Sequence, residues 1–351
     1  MAGCFVLHIM HALYTCVVPA SGVTAPERRM VVPAQSQCKA CELSFPGLLL
    51  GVVLLFVSTV SGQLSSSAPW PALGGGNDHR NFGTGSFDAS CGATIKWAFS
   101  RPWTEFETAE TRAAAIVADD DIVYMTGPSN SLYALNGGTG ELLWTYNVGG
   151  YSVSSVSVGR NGLIYAARGL GGLVALLSNG QEVFRSLNSS TSLTSPVLGS
   201  DGSIYLVSDQ TRMRINGATG AIRFSEFNTR FRTVDPLVKG GLVFWVDEVT
   251  LSYGRSIIHA ANATNGATLW KANLYDQTPC DNGCGSMWDG LLYIGCTSVQ
   301  RVYSINVTTG EFRWNRTVPS NLSATPFSIG QSCPAIHPQG IVYFASIVGT
   351  G

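Results

Sequence analysis

A glycine followed four residues later by an aromatic returns five times along the chain: Gly140 with Trp144, Gly180 with Phe184, Gly220 with Phe224, Gly266 with Trp270 and Gly310 with Trp314. The glycines stand 40, 40, 46 and 44 residues apart. Trp97 lies 47 residues before Trp144 and reads as the end of an earlier unit that lacks its front half. A supersecondary unit of several short strands, repeated with a period of about 40 to 50 residues, predicts the blades of a β-propeller.

Each unit divides alike. A short run of small and branched residues comes first, as in Ser195-Pro196-Val197-Leu198 or Asp235-Pro236-Leu237-Val238. A tight turn follows at Asn161-Gly162, Asp201-Gly202, Gly240-Gly241, Asp289-Gly290 or Gln339-Gly340. Gly and Asn tolerate positive φ, so two-residue hairpins are expected there. Next comes an apolar strand ending in an aromatic, such as Leu163-Ile164-Tyr165 or Leu242-Val243-Phe244. A third strand runs into an Asn-x-x-Thr-Gly turn and a fourth carries the Trp or Phe, which makes four antiparallel strands per blade.

The element Ala134-x-Asn136-x-x-Thr139-Gly140-x-x-x-Trp144 resembles the tryptophan-docking motif of the PQQ-like (pyrroloquinoline-quinone-type) β-propeller repeat family. Ala260, Asn262, Gly266 and Trp270 repeat it with Asn265 in place of Thr. Asn306, Thr309, Gly310 and Trp314 repeat it with Ser304 in place of Ala. The second and third copies depart from it, with Phe184 and Phe224 for Trp and a second turn one residue short. The resemblance covers roughly residues 69 to 346. It implies an all-β propeller in which each indole packs between neighbouring blades and the Thr-Gly turn keeps the third and fourth strands in register.

The chain has 351 residues, 45% hydrophobic and 12% charged, enough to bury one large all-β core. A net charge of −1 argues against a dominant phosphate-binding surface, and no nucleic acid is expected as a partner. Residues 1–62 are expected to lie outside the propeller as a targeting region. The run Phe45 to Val57, followed by Ser58-Thr59-Val60-Ser61-Gly62, has the length of a signal-peptide apolar core and a small-residue cleavage region. Cleavage near Gly62 is expected, with an uncleaved anchor as the alternative; an earlier apolar stretch, Cys4 to Val18, leaves Met30 as a possible start. Residues 63–90 read as a Ser/Gly/Pro-rich lead-in, and 91–351 as the propeller. The sixth unit stops after two strands, so the ring is expected to be incomplete, with about six blades present and the strand at Trp97 available to the closing blade.

Export also fits five Asn-x-Ser/Thr sites, Asn188, Asn262, Asn306, Asn315 and Asn321. Asn262 and Asn306 double as turn residues of the repeat and are expected to be bare. Of nine cysteines, Cys91, Cys280, Cys284, Cys296 and Cys333 remain after the targeting region, an odd number in a compartment that permits disulfides. Cys280 and Cys284 could close on each other or reach Cys296. A zinc site is the alternative, with no His nearby to complete it.

Any active site belongs where the innermost strands converge. Asp235 is a candidate carboxylate there, Arg232 its partner, and His337 a third candidate, each with a plainer role in a strand start or turn. The resemblance implies that a quinoprotein dehydrogenase of this fold would hold PQQ between adjacent cysteines and a Trp, beside a calcium on Glu, Asn and Asp. No Cys-Cys pair exists, Trp288 is the sole mature tryptophan on an expected inner strand, and Asp119-Asp120-Asp121 reads as a hairpin turn rather than a calcium loop. The favoured reading is an exported propeller that binds or scaffolds a protein or glycan. The alternatives are a PQQ- and calcium-dependent oxidoreductase and the ectodomain of a sensor or receptor.

Overall fold

The computed structural model describes residues 30–33 (backbone only), 72 and 95–99. From 115 to 348 it describes all but 128–129, 150–153, 169–171, 187–193, 209–210, 228–234, 249–255, 275–284, 297–300, 318–326, 330–332, 338 and 345. Among these residues there is no helix; the chain is all-β. Five four-stranded antiparallel sheets follow one another in sequence order, spanning residues 116–147, 157–186, 197–227, 237–273 and 285–317. They are blades 1 to 5. A hairpin, Ala335–Ile336 with Val342–Tyr343, stands where the first two strands of a sixth unit are expected. Ser346–Val348 continues from it and pairs with Phe327–Ile329.

The strand Ile95–Phe99 carries Trp97 and pairs antiparallel with Met30–Pro33, not with the sixth hairpin. Two adjacent valines give that partner strand the branched side chains that favour extended backbone. The leader and the lead-in otherwise lie outside the described residues.

The inner hairpins use two turn chemistries. At Asp289-Gly290 both residues have positive φ, 49° and 72°, and at Gly240-Gly241 the values are 58° and 79°, as two-residue turns require. At Asn161-Gly162, Asp201-Gly202 and Gln339-Gly340 only the glycine is positive. There the loop has three residues, closed by bonds such as Gly159 N–H to Leu163 O (2.9 Å) and Gly162 N–H to Gly159 O (2.9 Å). One left-handed glycine after a type I turn suffices in such a loop, so the second positive φ expected from sequence is not needed. Asp121, at φ 58°, makes the corresponding turn of blade 1.

The Asn-x-x-Thr-Gly turns hold themselves. Asn136 Oδ1 accepts the N–H groups of Gly138 (2.8 Å) and Thr139 (2.9 Å), and Thr139 Oγ1 accepts that of Glu141 (3.3 Å). Asn216, Asn262 and Asn306 repeat the first device. The glycine then has two tasks. Gly310, at φ 76°, leaves room for the Trp270 ring of the preceding blade, which a Cβ would meet at 2.6 Å. Gly140, Gly180, Gly220 and Gly266 receive Trp97, Trp144, Phe184 and Phe224 in the same way.

Polar closure of these seams follows one rule with two donors. The first carbonyl of each turn accepts a hydrogen bond from the preceding unit. Trp97 Nε1 donates to Gly137 O (2.9 Å), Trp144 Nε1 to Ser178 O (2.7 Å) and Trp270 Nε1 to Val307 O (3.0 Å). Phe184 and Phe224 have no N–H to give. Behind them, Tyr165 and Tyr205 of the second strands donate their hydroxyls to Gly217 O (2.8 Å) and Ala263 O (2.6 Å). Burial pushes both phenols up to about 12, so they remain donors across the physiological range.

Candidate functional site

The first strands of blades 3, 4 and 5 and of the sixth hairpin touch one another in succession and so form a converging inner edge. Register makes their positions comparable. Ser157, Val197, Leu237, Ser286 and Ala335 each lie opposite the aromatic of the second strand, Tyr165, Tyr205, Phe244, Tyr293 or Tyr343; in blades 2 to 5 that strand runs on past the aromatic rather than ending there as expected. Asp235 precedes this level by two residues, while Trp288 and His337 follow it by two. At about 3.3 Å per residue, Asp235 and Trp288 are therefore roughly 13 Å apart along the strand direction, at opposite ends of the inner edge.

Asp235 is partly buried and its Oδ1 accepts the Ser195 N–H of blade 3 at 2.6 Å. Burial pushes its carboxyl up to about 6, an effect the Ser195 contacts partly offset. It borders a cavity of about 10 Å³ whose other walls include Leu237, Trp245, Gly285 and Ile294. That is room for a single water at most. Trp288 lies half-buried against the turn at Gly340, whose Cβ position is 3.7 Å from the ring. His337 serves its own hairpin: its Nδ1 accepts the Gln339 N–H at 3.2 Å and its backbone closes the turn with Ile341 and Gly340. Arg232 lies outside the described residues.

Two serines of the inner edge tie blade to blade. Ser157 Oγ donates to Pro196 O (2.5 Å) and Ser286 Oγ to Pro334 O (2.6 Å). Cys296 is fully buried at the end of the second strand of blade 5, and Cys333 stands at the start of the sixth hairpin; both are disulfide-bonded. Cys91, Cys280 and Cys284 lie outside the described residues, as do Asn188 and Asn321. Asn315 is exposed on the outer strand of blade 5, whereas Asn262 and Asn306 use their side-chain oxygens in the turns. No group of three or more His, Cys, Asp or Glu among the described residues is arranged to hold a metal ion.

A polar cluster unforeseen from sequence sits between blades 3 and 4. Arg212 is 3% exposed and His259 2% exposed. Arg212 Nη1 lies 2.7 Å from His259 Nδ1, while its Nε and Nη2 hold Glu226 Oε2 at 2.8 and 2.7 Å. The guanidinium lies 5.7 Å from the centre of the Trp245 ring. Arginine only donates, so His259 Nδ1 accepts and the ring proton is on Nε2, 3.1 Å from Thr268 Oγ1. Burial, then Arg212 and Lys271, push the imidazole down to about 4. The signal was present as a break in two columns. Arg212 stands where the other blades have Leu132, Leu173, Ile258 and Val302, and His259 where they have Tyr133, Val174, Met213 and Tyr303.

Inter-blade aromatic docking on a turn carbonyl, repeated at this period, is the geometry of the PQQ-like repeats. The model of the family described as outer membrane protein assembly factor BamB matches residues 86–226 and 254–339. The chain belongs to that family. It is similar to the tetrathionate hydrolase of Acidithiobacillus ferrooxidans, 24% identical over 234 residues, 62% of this chain and 46% of the relative. The chain thus spans about half the length of the curated relative it matches. Among solved structures it is similar to BamB from Moraxella catarrhalis, with TM-score 0.51 and 15% identity over 74% of this chain and 82% of that one. It is also similar to the quinohemoprotein alcohol dehydrogenase of Comamonas testosteroni, with TM-score 0.58 and 14% identity over 78% of this chain and 51% of that one. At these identities the likeness is one of fold. Among the described residues no helix is long and apolar enough to cross a membrane.

Proposed function

We propose that the chain is an exported propeller that serves as a binding or scaffold module for a protein or glycan partner. The observation that carries this reading is the use of the inner-edge polar groups. Ser157, Ser195, Asp235 and Ser286 all hold one blade to the next, and His337 holds its own turn. Groups committed to strand contacts make a rigid frame rather than a set of reagents. The BamB name of the matching family and of one similar structure supports a protein partner. The disulfides at Cys296 and Cys333 support an oxidising compartment outside the cytosol. Asn315 is the described sequon best placed to carry a glycan there.

The quinone and calcium arrangement implied by the family's dehydrogenases does not fit the described residues. Trp288 and Asp235 sit at opposite ends of the inner edge, and no group of three or more His, Cys, Asp or Glu among the described residues is arranged to hold a calcium ion beside either. The experiment is a titration of the full chain with pyrroloquinoline quinone and calcium, followed by tryptophan fluorescence. Saturable quenching at micromolar quinone would overturn the scaffold reading. The expected result is no saturable quenching, together with a specific crosslinked protein or a retained glycan when the secreted chain is probed directly.

A further inference from the structure

Among the described residues the fourth strand of each blade pairs with the third on one side and with no strand on the other. Such an edge is a template for a further strand unless something blunts it. All five share one device, a register skip at the residue before the ring: Leu143, Val183, Arg223, Leu269 or Arg313. The second device is a cation within one residue of the ring. Arg185, Arg223, Lys271 and Arg313 supply it in blades 2 to 5, as Lys96 does beside Trp97. Blade 1 has Leu143 and Thr145 in those places, and its strand Leu142–Asn147 is the one of the five that carries no charged residue. Leu142 and Leu143 are 49% and 46% exposed.

Val148 N–H donates to Asn130 O, so along the antiparallel ladder the backbone groups of Val148, Tyr146 and Trp144 turn toward the third strand and those of Asn147 and Thr145 turn outward. We infer that this edge is a self-association surface, on which a second copy of the chain lays the same strand antiparallel about a two-fold axis at Thr145. That register brings outward backbone groups together. It sets the two copies of Thr145 opposite each other, Leu143 opposite Asn147, and Trp144 opposite Tyr146. Hydroxyl and aromatic pairs are favourable across strands, whereas like charges directly opposite are not. Glu141, just before the strand, falls opposite Gly149. The charges bordering the edge, Glu182 and Arg185, pair with each other at 3.0 Å and both reach the Tyr146 hydroxyl, so they add no net charge. The same pairing in the other blades is opposed. It would set Arg185 against Arg185 or Lys271 against Lys271, and Arg223 against Phe227 or Arg313 against Thr317. A six-residue edge buries less than the roughly 1,200 Å² of a stable interface, so the dimer is a weak, concentration-dependent one. It lies across the blade from the inner edge and does not rest on the scaffold reading.

The test is sedimentation equilibrium of the full chain from about 1 to 300 μM, the range of weak interfaces. The wild type is expected to pass from monomer to dimer within it. Thr145→Lys sets two ammonium groups against each other on the axis and is expected to weaken association about tenfold or more. Thr145→Val keeps a β-branched residue there and is expected to stay within about threefold of wild type. Ser225→Lys places the same charge at the equivalent exposed position of blade 3 and is expected to change nothing. A wild type that stays monomeric overturns the inference, as does a dimer that Thr145→Lys leaves intact or that Ser225→Lys weakens equally. Amide hydrogen exchange of the wild type gives a reading that needs no variant. Protection of the Thr145 and Asn147 amides that rises with protein concentration, while Ser225 and Phe227 stay unchanged, supports the inference. Protection that is the same at every concentration means that a segment of the chain itself covers the edge, and overturns it.

Discussion

Blades 4 and 5 meet through a continuous apolar cluster in which Leu237, Phe244 and Ile258 face Met287, Leu292 and Ile294. Trp270 seals the seam by covering Gly310 and donating to Val307 O. Blades 3 and 4 meet differently. Phe224 covers Gly266 more loosely, Tyr205 supplies the hydrogen bond, and Arg214, Arg212 and Asp235 add polar contacts along the length of the seam. The constant element is the acceptor carbonyl at the start of each turn, because strand geometry fixes it. The donor is exchangeable, and a seam that loses an indole recovers its closure from a phenol and from charged pairs.

The largest effects are expected where the turn glycines meet the rings. Gly310, Gly266 and Gly241 have nearly the same φ, 76°, 74° and 79°, so alanine strains the backbone equally at all three. The space differs: a Cβ meets Trp270 at 2.6 Å at Gly310, Phe224 at 3.2 Å at Gly266, and nothing within 4 Å at Gly241. Chemical denaturation is expected to show a loss of about 3–4 kcal/mol for Gly310→Ala, about 2 for Gly266→Ala and about 1 for Gly241→Ala. Equal losses at all three would mean that backbone strain alone matters and that ring docking contributes nothing specific.

The exchange of donors can be tested by converting one seam into the other. Trp270→Phe deprives Val307 O of its donor and is expected to cost about 2–3 kcal/mol, part of it lost ring area. Phe244 occupies the position of Tyr205, so adding Phe244→Tyr offers a hydroxyl to the same carbonyl. The double variant is expected to recover about 1 kcal/mol relative to Trp270→Phe alone. If the two changes are merely additive, the phenol does not substitute for the indole.

Asp235 and His259 load the polar seam with opposite pH dependences. The Asp235 carboxyl is raised from 3.8 to about 6, so its contribution is fully present below 3.8 and is lost as pH rises through 6. The His259 ring is lowered from 6.5 to about 4, so stability is fully present above 6.5 and is lost as pH falls through 4. Between those limits the two slopes oppose each other. Asp235→Asn keeps an acceptor for Ser195 and removes one slope. It is expected to gain about 1–2 kcal/mol relative to wild type at neutral pH, and to lose stability steadily on acidification where wild type is flatter. A wild-type profile as steep as that of Asp235→Asn would show that the carboxylate is not restrained by burial.

The repeat was legible because packing demanded the same residues at the same interval. Trp270, Gly310 and Asn306 stand at the fixed interval of the repeat, and in the structure Trp270 covers Gly310 and donates to Val307 O while Asn306 holds the turn. Turn type was harder to read, since Asp201-Gly202 and Asp289-Gly290 look alike in sequence yet differ by a residue of loop length fixed by the flanking strands. The polar cluster went unread because Arg212 and His259 lie 47 positions apart on different blades, and each alone passes for a surface residue on an alternating strand. Only the register between blades sets them face to face. The inner-edge candidates were scattered for a similar reason: Asp235 and Trp288 share an edge in sequence logic but occupy opposite ends of it.

The smallest expected effect concerns Glu226, which separates a charge that stabilises the polar seam from one that merely accompanies it. Its side chain is 51% exposed, so its pair with Arg212 is screened by solvent, and Glu226→Gln is expected to cost less than about 1 kcal/mol at neutral pH. Gln retains an oxygen for Arg212 Nε but brings no negative charge to the cluster. A guanidinium with one negative neighbour fewer opposes protonation of His259 more strongly, so the acid loss of seam protection should be larger in Glu226→Gln than in wild type. Hydrogen exchange at about pH 4 measures that difference. A variant that is severely destabilised at neutral pH, yet shows no greater acid response, would mark Glu226 as an anchor of the blade 3 edge rather than a counter-charge to the Arg212–His259 contact.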